Sequence, residues 1–357
     1  MKALSLFDGM ACGMLAMQSA GIEVDRYVAY EIDKYAIQTS SHNFPIIEHR
    51  GDVFNASFTE FADFDFLVGG SPCTYWSIAQ KNNRETEASG MGWELFSQYV
   101  RALHEAKPKY FIYENNKSMA KAIRDSIDEA FGFEAIGINS ALVSAQNRQR
   151  LYWVGKRNSD GTYSKVNIEQ PEDRGILLRD ILESGLELTQ NEKSYCLTVS
   201  YDGACAWNTI ERSQRTMVAE PIRIGTIESN LKNKDHDSKQ YRVYSPEGKA
   251  TTLCGQGGGV GAKNGLYACS ANGKEQTVYE VKDGLITIKG KQYPIKLADG
   301  FYIIRKLTVR ECMRLQTVPE WYEFPVSNSQ AYKMLGNGWT VDVIAHLLKG
   351  IRKEEIK

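Results

Sequence analysis

The sequence predicts an α/β protein: a doubly wound, mostly parallel sheet joined to a smaller, irregular β-rich second domain. Two observations carry this. Up to about Lys156, short apolar runs alternate with stretches of helical spacing, as expected where helices cover both faces of a parallel sheet. Beyond it helical periodicity fades, and short β-rich runs are punctuated by Gly, Asn and Asp, as in "GQGGGVGAKNG".

The elements follow in order. "KALSLF" reads as a strand and "GMLAMQSAG" as a helix closed by Gly21. "DRYVAYE" is a strand, "KYAIQTSSHNF" a helix, and "IIEHR" and "FDFLVGG" are strands. "WELFSQYVRALHEA" places Trp93, Leu95, Phe96, Tyr99, Val100 and Leu103 at helical spacing. "KYFIYEN" is a strand, "MAKAIRDSIDEAF" a helix and "LYWVGKR" a late strand. In the second region "YCLTV", "IRIGTI", "QYRVYS", "ATTLCG" and "LITIKG" read as short strands. Helices return at "TVRECMRLQ" and "SQAYKMLGNGWTVDVIAHLLKGIRK". The expected division is 1–156 with 320–357 as one domain, 157–304 as the second, and 305–319 as a connecting helical segment.

Composition narrows the class. The chain has 357 residues, 42% hydrophobic and 24% charged, with a formal net charge of −1. That is globular and argues against a generic polyanion binder, while leaving room for a local basic face. Seven cysteines, an odd number, include no C-x-x-C pair, so neither a zinc cluster nor a disulfide framework is expected, and no metal is assigned. A reducing, cytoplasmic setting follows. Asp8 interrupts the apolar N-terminal stretch, which excludes a signal peptide. No run of 18 apolar residues is present, so no membrane span is expected.

Candidate chemistry gathers where strands end. "LFDGMACG" follows the first strand; Gly9 and Gly13 permit a tight turn and close approach to a ligand, at the N-terminus of a helix. Glu31 ends the second strand, about 20 residues on, where an acid can accept ribose hydroxyls. Asp52 follows the third strand and suits an adenine amino group. Each alone is equally an ordinary turn residue; three on successive strand ends are not, because open α/β sheets bind ligands along that edge. Cys73 ends the fourth strand on the same edge, mounted on Pro72 with its fixed φ. It is either a buried thiol or a nucleophile. The polar loop "TYWSIAQKNNRETEASGMG" after it has the length of a mobile lid. Glu114 and Asn115 emerge from an apolar strand, a setting that suits a general acid. "QNRQRLYW" places Gln146, Arg148 and Arg150 alternately, with both arginines on one face.

These segments, "FDGMACG", "YEID", "GDV", "GGSPC", "ENN", "QNRQR", "RKLTVRECMRLQTVPEWY" and "GNGWTVDV", resemble in content and order the motifs of the DNA cytosine-5 methyltransferases, and "YSPEGKATTL" between them resembles the version common in phage and prophage members. The resemblance implies a Rossmann-like fold and methyl transfer from S-adenosyl-L-methionine to C5 of a flipped-out cytosine in double-stranded DNA. It assigns Cys73 as the thiolate that adds to C6, Glu114 as the group on N3 and the exocyclic amine, and Asn115 as its brace. Arg148 and Arg150 would engage the cytosine O2 and its surroundings. The cofactor would lie across Phe7, Asp8, Gly9, Glu31, Ile32, Asp52, Val53, Pro72, Asn337 and Gly338. Ser77, Gln146 and Thr252 would meet the DNA, and region 157–304 would be the target recognition domain. Its Asn208, Asn230, Lys232, Lys234, Arg242 and Gln256 are base-reading candidates by type. The resemblance implies a monomer, with or without a cognate restriction endonuclease.

Departures from the family pattern are Thr74, Trp76, Asn116, Ala11 and Cys12. A transfer-RNA cytosine methyltransferase would carry a Cys-Phe-Thr tripeptide, which is absent. A silent DNA-binding relative would not need Cys73, Glu114 and Arg148, and a dehydrogenase leaves Pro72-Cys73 unexplained.

Overall fold

The computed structural model describes residues 1–77, 84–184, 186–188, 192–222, 243–244, 266–267 and 278–355. The chain divides into two compact units. The larger comprises Met1–Ile181, Lys193–Gly203 and Thr308–Lys357; the smaller comprises Leu182–Glu192 and Ala204–Leu307. The division therefore falls at 181 and 307 rather than at 156 and 304, because residues 157–181 and the 193–203 segment pack with the first unit.

The larger unit runs β1 (Lys2–Leu6), α1 (Cys12–Ser19), β2 (Arg26–Tyr30), α2 (Lys34–Asn43), β3 (Ile47–His49), β4 (Phe66–Gly69), α3 (Gly90–Ala106), β5 (Tyr110–Asn116), α4 (Lys121–Phe131), β6 (Ile136–Asn139), β7 (Gln149–Arg157) and β8 (Tyr163–Lys165), followed by α5 (Leu178–Ile181). Strand order is β3-β2-β1-β4-β5-β7-β6, with β8 on β7. The pairs from β3 through to β5 are parallel. Strand β7 runs antiparallel between β5 and β6. The doubly wound, mostly parallel expectation holds. Strand β6 was not anticipated, since "IGIN" is short and carries a glycine.

Burial explains the apolar runs. Strands β4 and β5 are buried along their whole length, as central strands covered on both faces must be. Helix α4 buries Ile123, Ile127 and Phe131, one i, i+4 stripe, against that sheet. Helix α1 lacks such a stripe because it is covered nearly all round; Cys12 to Met17 are all buried, and the C-terminal helix packs on it.

The smaller unit holds β9 (Leu186–Glu187), α6 (Ala206–Arg212), β10 (Met217–Ile222), the two-residue strands β11 (Val243–Tyr244) and β12 (Leu266–Tyr267), and β13 (Val278–Lys282), β14 (Leu285–Ile288), β15 (Lys291–Pro294) and β16 (Gly300–Lys306). Six of these form an antiparallel sheet, β15-β14-β13-β16-β10-β9. It has its own core, with Ala206, Met217, Ala219, Val281, Ile286, Ile288 and Tyr302. Two expected runs fare differently: "LITIKG" contains β14, whereas "YCLTV" forms no strand and belongs to the 193–203 segment of the larger unit.

The chain then returns to the larger unit through α7 (Val309–Leu315), α8 (Asn328–Asn337) and α9 (Val341–Glu355). Thr308 and Glu311 form a reciprocal capping box at the start of α7. The stretch read as one helical run after Ser329 is two helices, broken at Gly338–Thr340, where Gly338 is extended (φ −65°, ψ 165°).

Candidate active site

Four segments meet at the carboxyl ends of the strands: the turn after β4, the end of β5, the start of β7, and the α8–α9 break. Pro72 is set at φ −49° and ψ 118°, and Cys73 opens a single 3₁₀ turn ending at Tyr75. The Cys73 carbonyl accepts from the amides of Trp76 and Ser77 at 3.1 and 3.0 Å, which fixes the turn. The rest of the long loop is described only from Arg84 on. Its ends are clasped: Trp76, fully buried, donates to Glu85 Oε2 at 3.0 Å, and Arg84 donates to the carbonyls of Trp76 at 3.3 Å and Ser118 at 2.8 Å.

Burial pushes the Cys73 thiol above its ordinary value, Arg150 opposes that, and the Glu114 charge adds to it. Asn116, beside the thiol, also acts in the sense that favours the anion. This gives Asn116, a departure from the family pattern, a physical role beside the nucleophile. Its own amide is held by Asn115 Oδ1 at 3.3 Å, and its oxygen accepts from Ser118 at 2.8 Å. Asn115 is buried and spans strands, donating to the Ser71 carbonyl and the Tyr113 hydroxyl, both at 3.2 Å.

Glu114 is 9% exposed, and both its oxygens are engaged. Arg150 Nε lies 3.1 Å from Oε1, and Trp339 Nε1 donates to Oε2 at 2.8 Å. Gly70 closes one side: a Cβ there would lie 2.7 Å from the Glu114 carbonyl oxygen and 3.0 Å from Oε2.

The two arginines do different work. Arg150 faces the carboxylate and thiol. Arg148, 3% exposed, was expected at the base but donates instead to the carbonyls of Leu197 (3.1 Å), Gly336 (3.2 Å) and Gly338 (2.8 Å) and to Cys196 Sγ (3.3 Å). It is a clamp on the α8–α9 break, with both terminal nitrogens of its guanidinium engaged. Gln146 is also engaged within the protein. Expected at the DNA, it is fully buried, donating to the Leu315 carbonyl at 3.1 Å and accepting from the Leu197 amide at 2.8 Å. Thr252 lies outside the described residues, as do the base-reading candidates other than Asn208, which is in α6.

Sequence reasoning missed Cys196. Its thiol is partly buried, which by itself raises its pKa, but Arg148 and Arg150 outweigh that and hold it below the ordinary value. Arg150 Nη2 is 3.8 Å from its sulfur. No spacing in the sequence links residue 196 to residues 148 and 150; only the fold does.

The cofactor candidates line the neighbouring strand ends. Phe7 (φ 58°), Gly9 (φ 61°) and Ala11 (φ 62°) all occupy the left-handed region, a strained turn of the kind kept at ligand sites. Glu31 ties this turn to the end of β2, accepting from the amides of Gly9, Ile32 and Asp33, each at 2.8 Å. A carboxylate has about four lone-pair sites, so one remains for a hydroxyl donor. Asp52 accepts from the Phe54 amide at 3.0 Å. Ile32 is 74% exposed and Phe54 45% exposed, two apolar side chains beside these acids. Phe54 was not anticipated; Val53, which was, has its side chain in the core. Asp8 is buried with Oδ1 accepting from Tyr27 at 2.7 Å, while Oδ2 has no partner. The turn at Gly338 closes against the same loop, since a Cβ there would lie 3.1 Å from Cys12 Sγ.

A doubly wound sheet with a thiol, a carboxylate and a guanidinium at one end, beside a strained glycine turn and strand-end acids, is an arrangement suited to a group-transfer enzyme. The chain belongs to the C-5 cytosine-specific DNA methylase family, whose model matches residues 1–353. It is 26% identical over 361 residues to the type II methyltransferase M.HhaI of Haemophilus parahaemolyticus, covering 98% of this chain and 94% of that protein. It is also 26% identical over 434 residues to the orphan methyltransferase M.SPRI of Bacillus phage SPR, covering 98% and 97%. In fold it resembles the S. pombe Dnmt2 methyltransferase (TM-score 0.55, 16% identity, 99% and 98% covered). It also resembles a putative DNA modification methyltransferase encoded within an E. coli prophage (TM-score 0.54, 17% identity, all of each chain covered).

Proposed function

We propose that this protein transfers a methyl group from S-adenosyl-L-methionine to C5 of a cytosine flipped out of double-stranded DNA, through a covalent bond between Cys73 and C6. The observation that carries the reading is the convergence of Cys73, Glu114 and Arg150 from three strands. The relatives, type II and orphan phage methyltransferases, support DNA as the substrate.

The residues suit the cofactor. The unpartnered Asp8 Oδ2 and the Glu31 carboxylate supply anionic acceptors for a cationic, hydroxylated ligand, and the left-handed turn at Phe7–Ala11 opens backbone to it. Asp8, Gly9, Glu31, Ile32, Asp52 and the Asn337–Gly338 turn would hold it. Bound there, it supplies an electrophilic methyl group.

The chain's own groups prepare the base. Cytosine C5 is a weak nucleophile. The Cys73 thiol gives up its proton to solvent, and addition of the resulting thiolate to C6 moves electron density to C5 while charge develops at N3 and O2. Glu114 meets N3 and the exocyclic amine, and Arg150, already on Glu114, stabilises the charge at O2. After C5 is methylated, water takes the C5 proton, the electrons of that C–H bond re-form the C5–C6 double bond, and the S–C6 bond breaks to give back the thiolate. C6 is hidden in a stacked pair, so the base must leave the helix. The smaller unit would read the flanking sequence, and a restriction endonuclease partner is not required by this chemistry.

Cys73→Ser should reduce methyl transfer at least a thousandfold while cofactor affinity stays within a few fold. DNA carrying 5-fluorocytosine should trap a covalent adduct with the unaltered protein, since fluorine cannot leave as a proton does. Active protein without an adduct would refute the covalent route. Bisulfite sequencing of DNA from expressing cells would show the modified base and its sequence context.

A further inference from the structure

Trp339 occupies a place that neither the family resemblance nor the proposed chemistry assigns. It stands immediately after the Asn337–Gly338 turn and donates its indole N–H to Glu114 Oε2 at 2.8 Å. With Arg150 on Oε1, the carboxylate is held by one charged and one neutral donor.

The backbone around the indole is pinned on both sides. Gly338 donates its amide to the Met334 carbonyl at 2.7 Å, and its own carbonyl accepts from Arg148 at 2.8 Å and Gln316 at 3.2 Å. Thr340 donates to Gln316 Oε1 at 2.9 Å and pairs with the Ser140 hydroxyl at 2.8 Å. Gly336 is pressed against the Thr198 backbone so closely that a Cβ would fall 2.4 Å from it. The backbone that carries the ring is therefore held on both sides, and the turn cannot shift without moving the ring. Asn337 and Gly338, exposed and partly exposed, are the groups offered to the cofactor.

We propose that Trp339 is a positioning residue that couples the cofactor turn to the aim of the Glu114 carboxylate. The role rests on the methyl-transfer reading above. An indole suits it because it donates one directional hydrogen bond without adding a second cation beside Glu114. A lysine or arginine at this place would bind the carboxylate through charge and compete with Arg150. Phenylalanine would keep an aromatic ring and remove the donor, leaving Oε2 without this hydrogen bond.

Trp339→Phe is the direct test, assayed on the full chain with duplex DNA. Loss of a hydrogen bond to a charged group in a buried site should lower kcat roughly ten- to hundredfold. KM for DNA and affinity for S-adenosylhomocysteine should stay within about threefold, which also reports that the variant is folded. A second measurement does not depend on turnover. In protein carrying ¹⁵N-labelled tryptophan, the Trp339 indole resonance, identified by its loss in Trp339→Phe, should shift in Glu114→Gln and again when S-adenosylhomocysteine is added to the unaltered protein. A kcat within twofold of the parent would overturn the proposal, as would an indole resonance indifferent to both changes. Absence of methyl transfer by the unaltered protein would instead strike the reading beneath it, whatever the indole shows.

Discussion

Two thiols stand near Arg150, and their environments differ in sign. Cys196 receives two guanidinium donors; Cys73 is dominated by burial, which Arg150 only partly offsets. In the free protein the second cysteine should therefore ionise first. Iodoacetamide labelling followed by peptide mapping across pH 6 to 10 should give a lower midpoint for Cys196 than for Cys73; the reverse order would refute this. Asp8 makes a second residue-scale case. Burial pushes its carboxyl up to about 6, the hydrogen bonds from Ser5 and Tyr27 only partly offset that, and Glu31 adds to it. An acid whose folded-state pKa lies above its unfolded value of about 3.9 takes up protons on folding between the two, so stability falls as pH rises from about 4 to about 6. Once the carboxyl is ionised the cost is about 3 kcal/mol. Asp8→Asn should flatten that part of the stability profile, measured by urea unfolding at successive pH values. An unchanged slope would assign the dependence to another group.

At the scale of elements, the site depends on how closely two strands approach. Gly70 passes so near Glu114 that even a methyl group must displace the carboxylate or its backbone. Gly70→Ala should leave cofactor binding nearly intact and lower methyl transfer at least tenfold; full activity would show that the approach is not needed. What the sequence revealed follows from the same geometry. Strand ends were legible because β1, β2, β4 and β5 are largely apolar runs, each closed or followed within a few residues by a carboxylate or a thiol: Asp8, Glu31, Cys73, Glu114. The reversal of β7 was not legible, since apolar patterning carries no direction. The distinct roles of Arg148 and Arg150 were hidden for a related reason. Alternation placed them on one face, but the carbonyls that consume Arg148 come from residues 197, 336 and 338, far along the chain. The helix break at Gly338–Thr340 was masked by the good helical spacing on either side of it.

At the scale of the molecule, each unit has its own apolar core, and every proposed cofactor residue belongs to the larger unit. Ile286, fully buried in the smaller core, therefore separates two functions. Ile286→Ala should destabilise the smaller unit by about 2–4 kcal/mol. It should weaken binding to duplex DNA while calorimetric affinity for S-adenosylhomocysteine stays unchanged. Equal loss of both would mean that the units do not behave independently.

The path of the chain between the units has a practical meaning. It leaves the larger unit after Ile181, comes back for Lys193–Gly203, leaves again, and returns at Thr308. The returning stretch carries Cys196 and Leu197, the partners of Arg148 and Gln146. A specificity graft between relatives that exchanged residues 182–307 as a single cassette would import a foreign partner for the recipient's own buried arginine. A transplant in two pieces, 182–192 and 204–307, with the recipient keeping 193–203, would respect the seam the chain itself follows.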